Sequence, residues 1–197
     1  MALRRRRWPE LPFAFGPYLV DRGRVRDLPQ IARLERVCFP EPLSLAGLAA
    51  LWVRPGTCYV VARQAGQVAA YIGFRLMGPI AHTISMAVDP QLRRQGLGTV
   101  VQQAADRVAA ARGARWFAGE VRVSNRPQLA LLERLGWVQV GICPSFFGNG
   151  EDAVVVCHVL AAPHTPGGRP CNRRRVAARR PGEALCRARP PGDGGQP

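Results

Sequence analysis

The amino-acid sequence predicts an α+β fold in which helices flank a mixed, mostly antiparallel central sheet. Short apolar runs rich in β-branched and aromatic residues recur along the chain and predict strands, and two of them flank the turn-forming segment 64–67, as in a hairpin. A long amphipathic segment at 96–112 lies between two other predicted strands, which is the pattern of a strand–helix–strand crossover. Hairpins combined with a crossover favour a mixed sheet over a purely parallel one.

The first half of the predicted domain contains two helices and a hairpin. In chain order, the predicted elements are a strand at 18–21, helices at 27–37 and 45–53, and strands at 58–63 and 68–75. The first helix has apolar residues at helical spacing, and Asp27 is placed to cap its first turn. Ser44 is the expected cap of the second helix.

The second half contains the crossover and a final pair of strands. In chain order, we predict a strand at 84–88, a helix at 96–112, a strand at 116–123, a short helix at 127–135, and strands at 138–143 and 153–160. The long helix is apolar along one face, and Gly113 supplies its C-cap. Pro127 in the first turn of the short helix and Gly136 beyond its last turn are typical of the start and the end of a helix.

Composition divides the chain into one domain and two basic ends. The 197 residues, 47% of them hydrophobic, suffice for one core, which we assign to 13–160. Segments 1–12 and 161–197 have few apolar residues to bury and are expected to be disordered. The 28 basic residues are all Arg, and the formal net charge is +15. We interpret the Arg-rich ends as solvated, with a weak contact to nucleic acid or to the ribosome as the alternative.

The sequence argues against a metal site, a membrane span and secretion. Its six cysteines lie far apart, without a C-x-x-C pair or a histidine at metal-ligand spacing, so we expect reduced thiols and no metal. No stretch approaches the about 18 apolar residues of a transmembrane helix. The basic start at 1–7 runs into Trp8-Pro9, where a signal peptide needs an uninterrupted apolar run. We therefore expect a cytoplasmic protein without membrane contact.

The turn between the predicted strand at 84–88 and the long helix has the composition of an anion site. The amides at a helix N-terminus have no intrahelical acceptor and lie at the positive end of the helix dipole. Gly96 and Gly98 permit close approach of a ligand, and Arg93 and Arg94 add positive charge. The turn therefore predicts a diphosphate site. The alternative is that the two glycines only allow the helix to begin close to the sheet.

The spacing Arg93-x-x-Gly96-x-Gly98, after the segment 84–90, resembles the acetyl-CoA motif of the GNAT N-acetyltransferases. It differs from a Rossmann fingerprint, which needs G-x-G-x-x-G, and from a P-loop, which needs a Lys that this chain lacks. The resemblance continues through the segments 120–125, 130–137 and 151–153. Over about residues 18–160 the chain is similar to the bacterial enzymes that acetylate the N-terminal alanine of a ribosomal protein, which implies a GNAT-like fold.

The resemblance implies that acetyl-CoA is the cosubstrate. The residues that it assigns to acetyl-CoA are Met86, Ala87, Val88, Arg93, Arg94, Gln95, Gly96, Leu97, Gly98, Thr99 and Asn125. In the family, the first three face the pantetheine arm through their backbone and the loop amides face the pyrophosphate. Asn125 contacts the cosubstrate from the other side of an opening in the sheet.

The resemblance also assigns the chemistry at the acceptor. Glu120 matches the general base, acting through water, because an α-ammonium with a pKa near about 8 is mostly protonated at neutral pH. Leu132 stands where the family usually has a Tyr that protonates the departing sulfur. Phe146 and Phe147 stand where the subfamily tends to carry two tyrosines that line the peptide groove. We interpret His82 as an ordinary strand histidine without a catalytic part.

Three functions remain open on these residues. The first is acetylation of a protein or peptide N-terminal amine, with Glu120 as base. The second keeps the cosubstrate but takes a small-molecule amine as acceptor. The third is an acetyl-CoA-binding protein with weak or no catalysis, because Leu132 cannot donate a proton.

Overall fold

A computed structural model describes residues 11–160, which form eight strands, four α-helices and two short 3₁₀ turns. The elements, in chain order, are β1 (Phe13–Phe15), β2 (Tyr18–Arg22), a 3₁₀ turn (Val25–Asp27), α1 (Leu28–Cys38), α2 (Leu45–Trp52), β3 (Thr57–Gln64), β4 (Gln67–Met77), β5 (Ile80–Val88), a 3₁₀ turn (Pro90–Leu92), α3 (Leu97–Ala111), β6 (Trp116–Arg122), α4 (Arg126–Arg134), β7 (Val138–Cys143) and β8 (Ala153–Val159). The predicted disordered ends fall almost entirely in 1–10 and 161–197, which lie outside the described residues.

The strands form a single sheet in the order β1-β2-β3-β4-β5-β6-β8-β7. Within residues 11–160, neighbouring strands are antiparallel except for β5 and β6, which are parallel. A parallel pair needs a crossover connection, and α3 supplies it. The predicted fold class, α+β with a mixed, mostly antiparallel sheet flanked by helices, is confirmed.

The sheet opens between its two parallel strands. The pairing of β5 with β6 is limited to three positions and ends at His82 opposite Ala118. Just beyond that point, the register of β5 against β4 shifts so that Ile84 becomes an extra residue. Such a bulge bends its strand. The ends of β5 and β6 therefore separate and leave a cleft between them.

Both faces of the sheet are covered by helices. The face that carries Val60 and Ile72 packs against α3 and α4, and the face that carries Tyr59 and Tyr71 packs against α1 and α2. Each large apolar side chain that is fully buried stabilises the fold by about 1.5–3 kcal/mol. Residues 118, 120 and 122 of β6 alternate with its buried apolar residues, so their side chains point toward the face of α1 and α2.

Two strands differ from the predicted ones. β1 was not predicted, because three residues carry too little pattern to indicate a strand. β5 begins at Ile80 rather than at 84, because the polar residues His82 and Thr83 interrupt the apolar run that marked it. The missed part of β5 contains the positions where it pairs with β6.

The two predicted helix N-caps have different outcomes. Ser44 caps α2 as expected, since its hydroxyl accepts a hydrogen bond from the Gly47 N–H at 3.0 Å. Asp27 precedes α1 but does not cap it through its side chain. Its buried carboxylate accepts a hydrogen bond from the Arg24 N–H at 2.6 Å and pairs with Arg63. The prediction for Asp27 is wrong because tertiary partners compete with the helix amides.

The described residues also bear on the cysteines and on membranes. Cys38, Cys58 and Cys157 are free thiols, whereas Cys143 is disulfide-bonded, so the expectation of reduced thiols is wrong at Cys143. Among residues 11–160, no helix is long and apolar enough to cross a membrane, and no three His, Cys, Asp or Glu side chains are grouped to hold a metal ion.

Candidate active site

The loop between β5 and α3 presents unpaired amides at one end of the cleft. Arg94 and Gly96 both have left-handed backbone conformations, with φ of 67° and 82°. The carbonyl of Gly96, the N-cap, accepts its bond from the Val100 N–H at 3.0 Å. The amides of Leu97 to Thr99 therefore begin the helix without an intrahelical acceptor, at the positive end of its dipole. This arrangement can bind an anionic group.

The two glycines of the loop have packing reasons of their own. A Cβ on Gly98 would lie 2.9 Å from Leu131 Cδ1 and 3.3 Å from Met86 Cε, because α3 starts close to both α4 and β5. A Cβ on Gly96 would lie 3.2 Å from the ring of Phe15, in a backbone conformation that favours glycine. Packing alone explains Gly98. The prediction of an anion site therefore depends on the free amides rather than on the glycines.

Side chains of the loop are tied to the rest of the protein. The buried Tyr18 hydroxyl in β2 donates a hydrogen bond to Gln95 Oε1 at 2.8 Å. Arg93 turns back so that its Nε donates to the Val88 carbonyl at 3.4 Å, and its Nη2 lies 3.7 Å from Cys38 Sγ. These contacts hold the side chains of Arg93 and Gln95 against neighbouring elements. The backbone amides of the loop therefore form the surface that is available to a ligand.

The helix α4 begins on the other side of the cleft. Asn125 is its N-cap, with Oδ1 accepting from the Gln128 N–H at 3.3 Å. Gln128 in turn donates to Met86 Sδ at 3.5 Å and so joins α4 to β5. The structure brings Asn125 to the end of β6, opposite the strand β5 on which Met86 to Val88 lie.

A histidine and a carboxylate meet where the two parallel strands separate. His82 Nε2 lies 3.1 Å from the Glu120 carboxylate, and the Glu120 side chain is only 8% exposed. With a proton on Nε2, the imidazole donates to the carboxylate and keeps Nδ1 as an acceptor. The pair can therefore take a proton from an amine and hold it. The interpretation of His82 as an ordinary strand histidine missed this contact, because the two residues are 38 positions apart.

A buried carboxylate beneath the α1–α2 loop was also missed. Glu35 in α1 is fully buried and accepts hydrogen bonds from the Tyr71 and Ser85 hydroxyls and, at 2.8 Å, from the Leu43 N–H. Burial and the adjacent Glu35 charge hold the pKa of Tyr71 well above its usual range. The network anchors the loop after α1 to β5 just past its bulge. A single Glu in an amphipathic helix gives no sequence signal of such a role.

Comparison with known proteins shows the family to which this chain belongs. The model of the acetyltransferase (GNAT) family matches residues 28–137, more than half of the chain. An N-alpha-acetyltransferase of Sulfurisphaera tokodaii is 30% identical over 159 residues, which are 74% of this chain and 93% of that protein. The chain belongs to the GNAT acetyltransferase family. The predicted enzyme class, an N-acetyltransferase, is confirmed with it.

Solved GNAT structures share the fold. The crystal structure of the ribosomal-protein-S18-alanine N-acetyltransferase from Escherichia coli superposes with a TM-score of 0.68 at 24% identity, covering 77% of this chain and 99% of that one. Naa20 of Chaetomium thermophilum, in complex with a bisubstrate analogue, gives a TM-score of 0.64 at 22% identity, with 72% and 86% covered. At these identities the likeness concerns the fold alone.

The structure also shows the surroundings of Leu132 and of the pair Phe146–Phe147, where the resemblance leads us to expect tyrosines. Leu132 in α4 is 3% exposed and packs in the same core cluster as Trp137, so it occupies an apolar site rather than an open one. Phe146 and Phe147 meet edge to face, with ring centroids 5.1 Å apart, in the loop between β7 and β8. Both are partly buried against the cluster that includes Ala118, on the face of the sheet to which Glu120 points.

Proposed function

We propose that this chain transfers the acetyl group of acetyl-CoA to the N-terminal α-amine of a protein or peptide, by direct attack of the amine on the thioester with Glu120 as general base. The observation that carries this proposal is the contact between His82 and Glu120 at the point where the sheet opens. The acceptor class is supported by the relative at 30% identity, whose name is N-alpha-acetyltransferase.

The cosubstrate side of the proposal depends on backbone groups. The amides of Leu97 to Thr99 and the left-handed turn at Arg94 and Gly96 fit a diphosphate, because a helix start preceded by left-handed residues offers several unpaired N–H groups close together in sequence. Beyond His82, β5 is no longer paired with β6, so its edge can hydrogen-bond the amide-rich pantetheine arm. Bound acetyl-CoA would supply an activated acetyl thioester at the cleft.

The acceptor side depends on the His82–Glu120 pair. Glu120 takes a proton from the incoming α-ammonium, directly or through one water, and His82 steadies the carboxylate through its Nε2 hydrogen bond. The neutral amine then forms a bond to the acetyl carbon as the carbon–sulfur bond breaks. The second amine proton passes to solvent or to the regenerated base. An unpaired amide of the β5 edge would stabilise the negative charge on the carbonyl oxygen.

The leaving thiolate lacks an acid at Leu132, which favours a second candidate function. A thiol with a pKa near about 8.5 can leave as thiolate and take a proton from water, and a general acid is worth roughly 10²- to 10⁴-fold. The second candidate is an acetyl-CoA-binding protein with weak or no turnover. The variant Leu132→Tyr distinguishes the enzyme from the binding protein. If the chain is an enzyme, we expect a higher kcat in this variant. The larger side chain in a packed core also lowers the free energy of unfolding by about 1–3 kcal/mol.

The acceptor panel tests the proposed function. Release of free CoA is followed with acetyl-CoA and three acceptors: a peptide with a free N-terminus, the same peptide N-terminally blocked but carrying a Lys, and a small primary amine. The proposal expects turnover with the first. It also expects Glu120→Gln to lower kcat roughly 10²- to 10⁴-fold. Glu133→Gln removes an exposed carboxylate of α4 and is the matched control.

Outcomes of the same panel decide between the alternatives. Turnover with the small amine alone supports the small-molecule acceptor, and acetyl-CoA binding without any turnover supports the binding protein. An unchanged kcat in Glu120→Gln removes Glu120 as the base. Association with the ribosome or with nucleic acid depends on the Arg-rich ends, outside the described residues, and stays a prediction, as does the cytoplasmic location.

A further inference from the structure

Arg122, the last residue of β6, contacts two loops at once. It lies two positions after Glu120, so both side chains are on the same face of the strand. Its Nη2 lies 3.1 Å from Glu41 Oε2 in the α1–α2 loop. Its Nη1 lies 2.9 Å from Glu151 Oε2 and 3.0 Å from Asn149 Oδ1 in the β7–β8 loop. We name Arg122, Glu41 and Glu151 the Arg122 bridge.

The two loops also touch each other at the bridge. The Gly148 N–H donates to Glu41 Oε2 at 3.2 Å, and a Cβ on Gly148 would lie 3.3 Å from both carboxylate oxygens of Glu41. The guanidinium carbon of Arg122 lies 3.9 Å from the centre of the Phe147 ring, in cation–π geometry. A planar guanidinium that stacks on one side and forks to two carboxylates fixes both loops in one arrangement.

The two halves of the bridge differ in strength. Glu41 is 41% exposed, whereas Glu151 is 19% exposed. Hydrogen bonds from Ser124 and the charge of Arg122 lower the pKa of Glu151 to about 2, so this carboxylate stays ionised from mildly acidic pH upward. Solvent and salt screen an exposed ion pair more than a sheltered one. The bridge should therefore open at Glu41, with Arg122 remaining on the β7–β8 loop.

We propose that Arg122 is a positioning residue, which closes the α1–α2 loop onto the β7–β8 loop beside Glu120 and thereby shapes the entrance for a peptide acceptor. The inference rests on the proposed function. The far end of the α1–α2 loop is held independently, since Leu43 is bonded to buried Glu35. Phe39, at the near end, donates its N–H to the Glu35 carbonyl at 2.9 Å and packs against the core of α1 and α2. The segment 40–42 between these two anchors is then free to move when the bridge opens. A closed entrance contacts residues beyond the reacting amine, so peptides depend on the bridge and small amines do not.

A comparison of acceptors tests this role through kinetics. In Arg122→Gln, the KM of a peptide acceptor rises about tenfold with kcat within about threefold, because contacts made equally in the ground and transition states are lost. The KM of a small amine and the Kd of acetyl-CoA stay unchanged. Arg122→Lys keeps the charge but not the fork or the stack, and it rescues the peptide KM only in part. Arg134→Gln, at an exposed arginine of α4, is the matched control.

Backbone relaxation measured by NMR tests the bridge without any acceptor. Arg122→Gln lowers the order parameter of the residue 41 amide, the one N–H in the segment 40–42, and of the amides in 145–151, whereas Glu41→Gln and high salt lower it at residue 41 alone. The double variant adds little to Arg122→Gln, because the ion pair is already lost and the amide oxygen of Gln can still accept from the Gly148 N–H. This measurement separates the inference from the proposed function, since it gives the same result for a protein that transfers no acetyl group.

Three results would overturn the role of Arg122. One is an unchanged order parameter of the residue 41 amide when Arg122 is replaced. Another is an equal rise of KM for the peptide and the small amine, which would indicate general damage to the cleft. The third is full rescue of the peptide KM by Arg122→Lys, because a point charge would then be enough.

Discussion

The two sides of the cleft differ in the groups they present, which are backbone amides on one side and side chains on the other. The proposed cosubstrate side is a continuous stretch of backbone, 93–99, whose left-handed residues and helix start present unpaired amides. The proposed acceptor side is an assembly of side chains, in which His82, Glu120, Glu41 and Arg122 come from three separate parts of the chain. A backbone site depends on conformation and tolerates side-chain changes, whereas a side-chain site can be disabled by removing one charge. Single substitutions should therefore separate binding from turnover.

After replacement of Glu120 itself, the largest expected effect is on the proposed acceptor side, at His82. His82→Gln removes the imidazole that steadies Glu120 and lowers kcat roughly 10- to 100-fold, while the Kd of acetyl-CoA stays unchanged. Steady-state kinetics and calorimetric titration of acetyl-CoA provide the two numbers. His158→Gln, which removes a histidine stacked on Trp137, is the control and should leave both unchanged. A loss of acetyl-CoA affinity in His82→Gln as large as the loss of kcat would contradict the separation of the two sides of the cleft.

The next largest effect is on the cosubstrate side, at Gly96. Gly96→Ala forces a Cβ into a left-handed conformation, which costs roughly 1–2 kcal/mol, and it meets the Phe15 ring. We expect the Kd of acetyl-CoA to rise about tenfold, with kcat at saturating cosubstrate nearly unchanged. Arg94→Gly removes a charge but favours the left-handed φ that Arg94 adopts, and it should change Kd by less than about threefold. The opposite order of these two effects would make charge, not backbone, the basis of the site.

The smallest expected effect concerns the support of the loop. Tyr18→Phe removes the hydrogen bond to Gln95, worth about 0.5–1.5 kcal/mol, and should raise the Kd of acetyl-CoA between about twofold and tenfold. Tyr59→Phe removes a buried hydroxyl that has no hydrogen-bond partner among residues 11–160, so it should leave Kd unchanged and keep or raise the melting temperature. Equal affinities for the two variants would show that Tyr18 does not support the loop.

The sequence predicted the elements that have a regular apolar pattern and missed those that lack one. Elements with a clear apolar period, such as α3 and the β3–β4 hairpin, were found with ends shifted by one or two residues. β1 and the first half of β5 were not found, because three residues or an interrupted apolar run give no period. The bulge at Ile84, which opens the cleft, is a matter of register between strands and leaves no mark in one strand's pattern.

In the candidate site, the sequence could predict a contiguous loop but not contacts between residues far apart in the chain. The loop 93–99 is contiguous, so its glycines and arginines could be read as a motif. The contact of Arg122 with Glu41 joins residues 81 positions apart, and no local pattern marks either residue as part of a bridge. Glu120 could be proposed only through the resemblance of its motif to the GNAT family. Its partner His82, which lies outside that motif, could not.

The position of the transferred acetyl group tests the central claim most directly. A peptide with a free N-terminus and one internal Lys is incubated with the protein and acetyl-CoA, and fragment mass spectrometry locates the modification. The account predicts an acetyl group on the α-amine, formed by wild-type protein and greatly reduced with Glu120→Gln. Acetylation of the Lys side chain alone, or equal product from Glu120→Gln, would contradict it.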